Sequence, residues 1–285
     1  MKKLRDFSIG KVSININGDL SEKEIAEKGR IAEKSGLKVI WVGDFDFDPF
    51  LTAEILAKHT ELLIGFGVLS VEKRECEKIL SEIESLEERF GNRFLVGVGA
   101  GEFKDAKKAV EKVLRCIETL KPRKVFAGCS SPRIARLSSR IADGVLINYI
   151  NPSLVKWLSS YIEMGLKIAY GPTLFFPSQF EEDLVLAAAI VLKGVEKRFG
   201  INLGLNLKEL VSKRRRGESI SDSGVFKHRE FLLNNFALYG DLEEIKAKIK
   251  ALLQICDHVV LSDPFFRDEQ SLKNLELIVR ACETF

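Results

Sequence analysis

Short apolar runs recur along the chain at a roughly even spacing, and the stretches between them carry apolar residues every third or fourth position. The runs Phe7–Ile16, Lys38–Gly43, Leu62–Leu69, Arg93–Gly99, 124–127, 144–147, Lys167–Leu174 and His258–Leu261 have strand character. Helical stripes separate them: Ile25, Gly29 and Ala32 after a Ser21–Glu24 capping box, then Ile79, Ile83, Leu86 and Phe90, then Ala109, Val113, Ile117 and Leu120. Leu242, Ile245, Ile249 and Leu252 form another stripe, and Leu272, Leu275, Ile278 and Val279 mark a closing helix. Strands alternating with helices at this spacing imply repeated βαβ units and a parallel sheet. Eight such units are what a TIM (β/α)8 barrel needs, while a doubly wound open sheet has the same local pattern. The long interval before the last strand holds an insertion at about 180–237, mostly helical, with a polar stretch around Lys213 to Ser223.

The stretch from Lys124 to Asn148 carries the densest local information. Its apolar strand ends at Gly128, Ser130 and Ser131 offer capping hydroxyls, and Pro132 suits a first helical residue. A helix beginning at Ser131 runs through Ile134, Leu137 and Ile141 to the Asp143-Gly144 break. Its free backbone N–H groups would point at the carboxyl edge of the sheet, where a phosphate can sit. An ordinary capped helix in a parallel sheet has the same pattern. The Gly97-Val98-Gly99-Ala100-Gly101 exit of the fourth strand lacks the spacing of a dinucleotide fingerprint.

Composition changes this picture only by exclusion. With 285 residues, 46% hydrophobic and 30% charged, the chain is long enough for one large barrel domain, 1–285. A net charge of +3 and the lack of a basic stripe interleaved with aromatics argue against nucleic acid. The longest apolar run, Leu184 to Leu192, is about half of what a membrane span requires. Being apolar all round a helix, that run calls for burial on more than one side, in an enlarged core or in a subunit contact, and a homodimer is expected. No signal-like segment opens the chain, so a cytoplasmic location is expected. Five widely spaced cysteines suit reduced thiols better than a disulfide framework, and neither they nor the three isolated histidines have metal-ligand spacing. Lys213 to Arg216 is a solvated helix end or an anion patch.

Gly128, Pro132, Ile141-Ala142-Asp143-Gly144-Val145-Leu146 and Asn148 together resemble the luciferase-like superfamily, in particular the archaeal methylenetetrahydromethanopterin reductases that use the 5-deazaflavin coenzyme F420. Lys34 to Asp44, Ile64 to Val68, Gly97 to Gly101 and Asp257 to Pro264 are similar to that family's strand tips. The resemblance implies a closed barrel and a flavin- or deazaflavin-dependent oxidoreductase. Its cofactor would be coenzyme F420, or alternatively FMN, and it would pass hydride to a small electrophile such as a methylene-tetrahydromethanopterin. Asp44 would take the acidic, catalytic position, although Asp44, Asp46 and Asp48 read equally well as a solvated turn and helix-capping cluster, and a non-prolyl cis peptide between Gly67 and Val68 would back the ring. Gly99 and Gly101 would leave space beside the ring. Gly128, Ser130, Ser131 and Arg133 would hold the phosphate, with Asn148 on the same rim.

The chain also departs from the family. Phe45 follows Asp44 where histidine or asparagine is usual, and Ser8 to Val12 offers only Lys11 in place of the glutamate of the first strand. The motif after the third strand is replaced by Ser70 to Cys76, and the insertion after the fourth strand is missing. A barrel that binds the cofactor without the same chemistry is the alternative.

Overall fold

The computed structural model describes residues 8–283 other than 104 and 205. Nine strands occur in it: β1 (Val12–Ile16), β2 (Val39–Val42), β3 (Leu63–Ser70), β4 (Phe94–Gly99), β5 (Val125–Cys129), β6 (Gly144–Ile147), β7 (Leu166–Phe175), β8 (Leu238–Gly240) and β9 (His258–Ser262). Each of β1 to β7 pairs in parallel with the next, β7 pairs with β9, and β9 returns to β1, so eight strands close a barrel. The expected fold class is therefore the observed one. Closure leaves no free edge among these eight strands, and burial on both faces explains why they are nearly continuous apolar runs.

Helices cover the outside. Those of the first six units are α1 (Glu22–Lys34), α2 (Pro49–His59), α3 (Cys76–Phe90), α4 (Ala106–Leu120), α5 (Pro132–Ser138) and α6 (Pro152–Ser159). The insertion contains α7 (Glu181–Lys193), α8 (Glu196–Phe199), α9 (Leu207–Arg215) and α10 (Arg229–Phe236), and α11 (Leu242–Leu253), α12 (Glu269–Lys273) and α13 (Leu275–Cys282) finish the ring. The Ser21–Glu24 capping box is present, and Asp48 caps α2 ahead of Pro49. A short strand follows the insertion. Leu238–Gly240 adds β8 to the carboxyl end of β7, pairing with Thr173 to Phe175, and three residues are too few to show a period in sequence.

Two apolar cores result. One lies between strands and helices; the other fills the barrel lumen with Ile9, Val39, Trp41, Leu95, Phe126, Leu146, Ile168 and Val260. Trp41 and Phe126 meet edge to face at 5.7 Å between ring centres. The first strand starts at Val12 rather than Phe7, which lies outside the described residues, because Gly10 takes a left-handed φ of 73°.

The apolar run 184–192 is covered within the chain by α9 and α10, with only Ile190 substantially exposed, which is the enlarged core of the two alternatives. One expectation changes. Cys76 and Cys116, 40 residues apart, are joined as a disulfide between α3 and α4, with Cα atoms 5.0 Å apart. Sequence spacing hid this pair because consecutive helices of a barrel lie side by side. Cys129, Cys256 and Cys282 are free and buried.

Candidate active site

The carboxyl ends of all eight barrel strands open on one mouth, the position at which barrels of this kind place their chemistry. A register shift between Phe66 and Leu69 inserts one extra residue into β3 relative to β4, and the Gly67–Val68 peptide within it is cis, as the resemblance implied. Strand residues alternate between outside and lumen, so the extra residue lets Gly67 and Val68 both face the lumen. Val68 is only partly buried and packs on the inner core from above.

Small and large residues interlock beneath this bulge. A Cβ at Gly65 would strike the Trp41 ring, and one at Gly67 would lie 2.9 Å from the ring of Tyr170. A Cβ at Gly99 would lie 2.6 Å from Cγ2 of Val68, and one at Gly128 2.6 Å from its Cγ1. The room left by Gly99 and Gly128 is therefore taken by the Val68 side chain. Gly101, with φ of 74°, abuts Ser70 and Glu72 at the rim.

Tyr170 on β7 was not singled out in the sequence. Its ring is partly buried beside Gly67, while its hydroxyl is fully buried and has no hydrogen-bond partner among the described residues. Burial, with the nearby Asp263 charge, pushes that hydroxyl far above its ordinary pKa and keeps it a neutral donor. No periodicity could have marked it, because the signal is the gap at Gly67 on another strand.

A polar wall closes the β1–β9 side. Asn15 Nδ2 donates to Asn17 Oδ1 at 3.0 Å, Asn17 Nδ2 donates to Asp263 Oδ2 at 2.9 Å, and the Asp263 amide donates to Asn15 Oδ1 at 3.2 Å. Arg267 Nε donates to Asp263 Oδ1 at 2.6 Å, and its Nη2 to Asp19 at 2.8 Å. Lower in the same wall, Trp41 Nε1 donates to Ser13 Oγ at 3.0 Å, and Ser13 Oγ lies 2.6 Å from His258 Nε2. His258 Nδ1 lies 3.0 Å from the Gly10 carbonyl, which can only accept. The neutral Nδ1–H tautomer satisfies every partner, and burial pulls the imidazole down to about 4. Lys11 is exposed at the amino end of β1, away from the mouth.

Asp44 stands at the exit of β2 with its side chain 1% exposed. Oδ2 accepts from the Ser70 amide at 2.9 Å and from the Arg74 guanidinium at 2.5 Å, while Oδ1 is buried without a partner among the described residues. Asp44 is thus neither a solvated turn residue nor open to the mouth, whereas Asp46 is exposed and Asp48 caps α2. Across the mouth, Ser131 caps α5 through the Ile134 amide at 3.5 Å, and its backbone also bonds the Cys129 thiol, which burial pushes up to about 12. Ser130 is half-buried and accepts from the Tyr149 hydroxyl through its carbonyl at 2.8 Å. Arg133 is exposed with no ion pair among the described residues, and Asn148 is exposed on the same rim.

Ion pairs fasten part of the late insertion to the rim of the mouth. Helix α9, from the late insertion, is tied to the β4 exit by Lys208–Glu102 at 2.9 Å and to the β2 exit by Arg215–Asp46. Arg215 also lies over the Phe47 ring at 5.6 Å, and Arg214 grips Glu182 and Asp183 of α7. The basic stretch seen in sequence is thus largely an anchoring face rather than a free anion patch.

No protein-family model matches the chain. It is 26% identical over 183 residues to the 5,10-methylenetetrahydromethanopterin reductase of Methanolobus tindarius, a match covering 51% of this chain and 56% of that relative. The chain thus spans about half the length of that relative. Among solved structures, the coenzyme F420-dependent tetrahydromethanopterin reductase of Methanopyrus kandleri superposes with a TM-score of 0.71 at 17% identity, over 96% of this chain and 98% of that one. An F420-dependent secondary alcohol dehydrogenase, solved with an F420-acetone adduct, gives 0.69 at 13% identity, over 96% and 99% of the two chains. The oxygenating constituent of 3,6-diketocamphane monooxygenase from Pseudomonas putida, solved with FMN, gives 0.62 at 13%, over 97% and 98%.

Proposed function

We propose that this chain is a member of the luciferase-like superfamily and a flavin- or deazaflavin-dependent oxidoreductase using coenzyme F420. The observation that carries the reading is the floor of the mouth, where Val68 and the Tyr170 ring offer a partly open apolar surface beside a buried hydroxyl without a partner. A flat ring fits such a surface, and an unpaired buried hydroxyl costs about 1–3 kcal/mol unless a ligand atom pairs with it. When bound, a reduced deazaflavin supplies hydride to a small electrophile; the similarity to the Methanolobus tindarius reductase supports a methylene-tetrahydromethanopterin as that acceptor.

The chain's own residues then have distinct tasks. Val68 and Gly67 back the ring, and Tyr170 Oη donates a hydrogen bond from a site where water is excluded. Ser130, Ser131 and Arg133 take the phosphate at the start of α5, with Asn148 and Gly101 on the rim. Asp44, paired and buried, acts by holding Arg74 and the Ser70 amide in place at the β2–β3 exit, and α9 covers the substrate. FMN is the second reading, favoured by the FMN-bound monooxygenase of the same fold.

Titration of the protein with reduced coenzyme F420 and with FMN, followed by turnover with candidate acceptors, tests the reading. Saturable binding with acceptor-dependent reoxidation is expected. Tight binding without turnover would favour the non-catalytic alternative.

A further inference from the structure

The lumen side of β4 and β5 is bare where Val68 meets it. Leu95 and Phe126 point into the lumen, so by strand alternation Gly97, Gly99 and Gly128 do as well. The Val68 methyls occupy that bare surface. Cγ1 would lie 3.1 Å from a Cβ at Gly97 and 2.6 Å from one at Gly128; Cγ2 would lie 2.6 Å from one at Gly99 and 3.0 Å from one at Gly128. Real Cβ atoms essentially never sit under 3.0 Å from a neighbour, so alanine at Gly99 or Gly128 forces Val68 to move.

Valine cannot absorb this by a small adjustment. It has one side-chain torsion and is stiff about it, and each methyl is already lodged against glycines on both strands. Downward motion is blocked by the packed lumen. The remaining direction is toward the mouth, where Val68 is partly open.

We propose that Gly99 and Gly128 are positioning residues that set the height of Val68, and through it the depth at which a planar coenzyme ring seats in the mouth. They act through Val68 rather than by touching the coenzyme. This rests on the reading that the ring lies against Val68. A side chain at either glycine lifts the ring, while the phosphate site at α5, carried by Ser130 and Ser131, keeps its donors.

The test is equilibrium titration with reduced coenzyme F420 and with FMN, following ring absorbance and fluorescence, for the parent, Gly99→Ala, Gly128→Ala, Val68→Ala and the double variant Gly128→Ala/Val68→Ala. Each single glycine variant should bind at least tenfold more weakly and alter the absorbance of the bound ring. The double variant should return to within about threefold of Val68→Ala alone, because removing the methyls removes the collision. Circular dichroism separates this from misfolding. If the single variants bind as the parent does, the inference falls while the proposed function stands. If they weaken binding and the double variant does not recover, their effect does not pass through Val68 and the inference also falls. If the parent binds neither coenzyme, the proposed function falls and takes the inference with it.

Discussion

Asp44 and Arg74 form an ion pair across the exits of β2 and β3, with the carboxylate 1% and the guanidinium side chain 21% exposed. The same Asp44 oxygen accepts the Ser70 amide, so one carboxylate joins two neighbouring strand exits at the rim of the mouth. Asp44→Ala leaves a buried amide without its acceptor and a mostly buried guanidinium without its counter-charge. Such a loss costs about 2 kcal/mol, scaled down from a fully buried pair because Arg74 still reaches water. Urea denaturation of the parent and Asp44→Ala measures it. A difference below a few tenths of a kcal/mol would mean that Asp44 holds nothing in place.

Stability should fall in acid through His258. Its folded pKa is depressed to about 4 by burial, whereas an unfolded histidine titrates near 6.5. Between those values the unfolded chain binds a proton that the folded chain refuses, so stability is lost as the pH falls from about 6.5 to about 4, by up to ~3 kcal/mol. Above 6.5 the group is neutral in both states and contributes no slope. His258→Gln should be less stable at neutral pH yet show a flatter decline over that window. Carboxylates titrate there too, and the difference between the two proteins isolates the imidazole. Parallel declines would contradict the assignment.

Reduction of the Cys76–Cys116 link should destabilise the fold. Closing a loop of 40 residues removes unfolded-state entropy worth about 4 kcal/mol on the chain-entropy account. Thermal melts with and without reductant, repeated on Cys116→Ala, read this directly. Reductant should lower the melting temperature of the parent and leave that of the variant alone; no effect on the parent would contradict the link.

Helix α9 is fastened to the barrel rim by exposed pairs. Glu102 and Lys208 are 64% and 78% exposed, so solvent and salt screen that pair strongly and it holds the helix only weakly. Lys208→Glu with Arg215→Glu should speed amide exchange across 207–215 several-fold, and raised salt should do the same to the parent. Unchanged exchange would show that α9 is held by its contacts with α7 alone.

Much of this architecture is legible in the sequence, and what escapes has identifiable reasons. The strands show themselves because parallel barrel strands are buried on both faces, and α2 and α5 announce their starts through Asp48-Pro49 and Ser131-Pro132. The glycines of β3 to β5 do mark close approach, but what approaches is a side chain. Val68 reaches Gly99 and Gly128 only because the bulge turns it inward, and a one-residue register shift leaves no trace in the hydrophobic pattern. Ser13 and His258 are 245 positions apart and adjacent only after the barrel closes. Tyr170 is unremarkable in its strand until Gly67 is placed opposite it.

The most direct measurement of the central claim is a binding titration with reduced coenzyme F420 on the parent and on Ser131→Asp. The phosphate should meet the start of α5, and a fixed carboxylate at about 4 Å repels it by roughly 4 kcal/mol at an effective dielectric of 20, before screening. Aspartate is still a competent helix cap, so the fold should persist. The account predicts saturable binding by the parent and at least a tenfold weaker affinity for the folded variant. Equal affinities, or no binding of either coenzyme F420 or FMN by the parent, would contradict it.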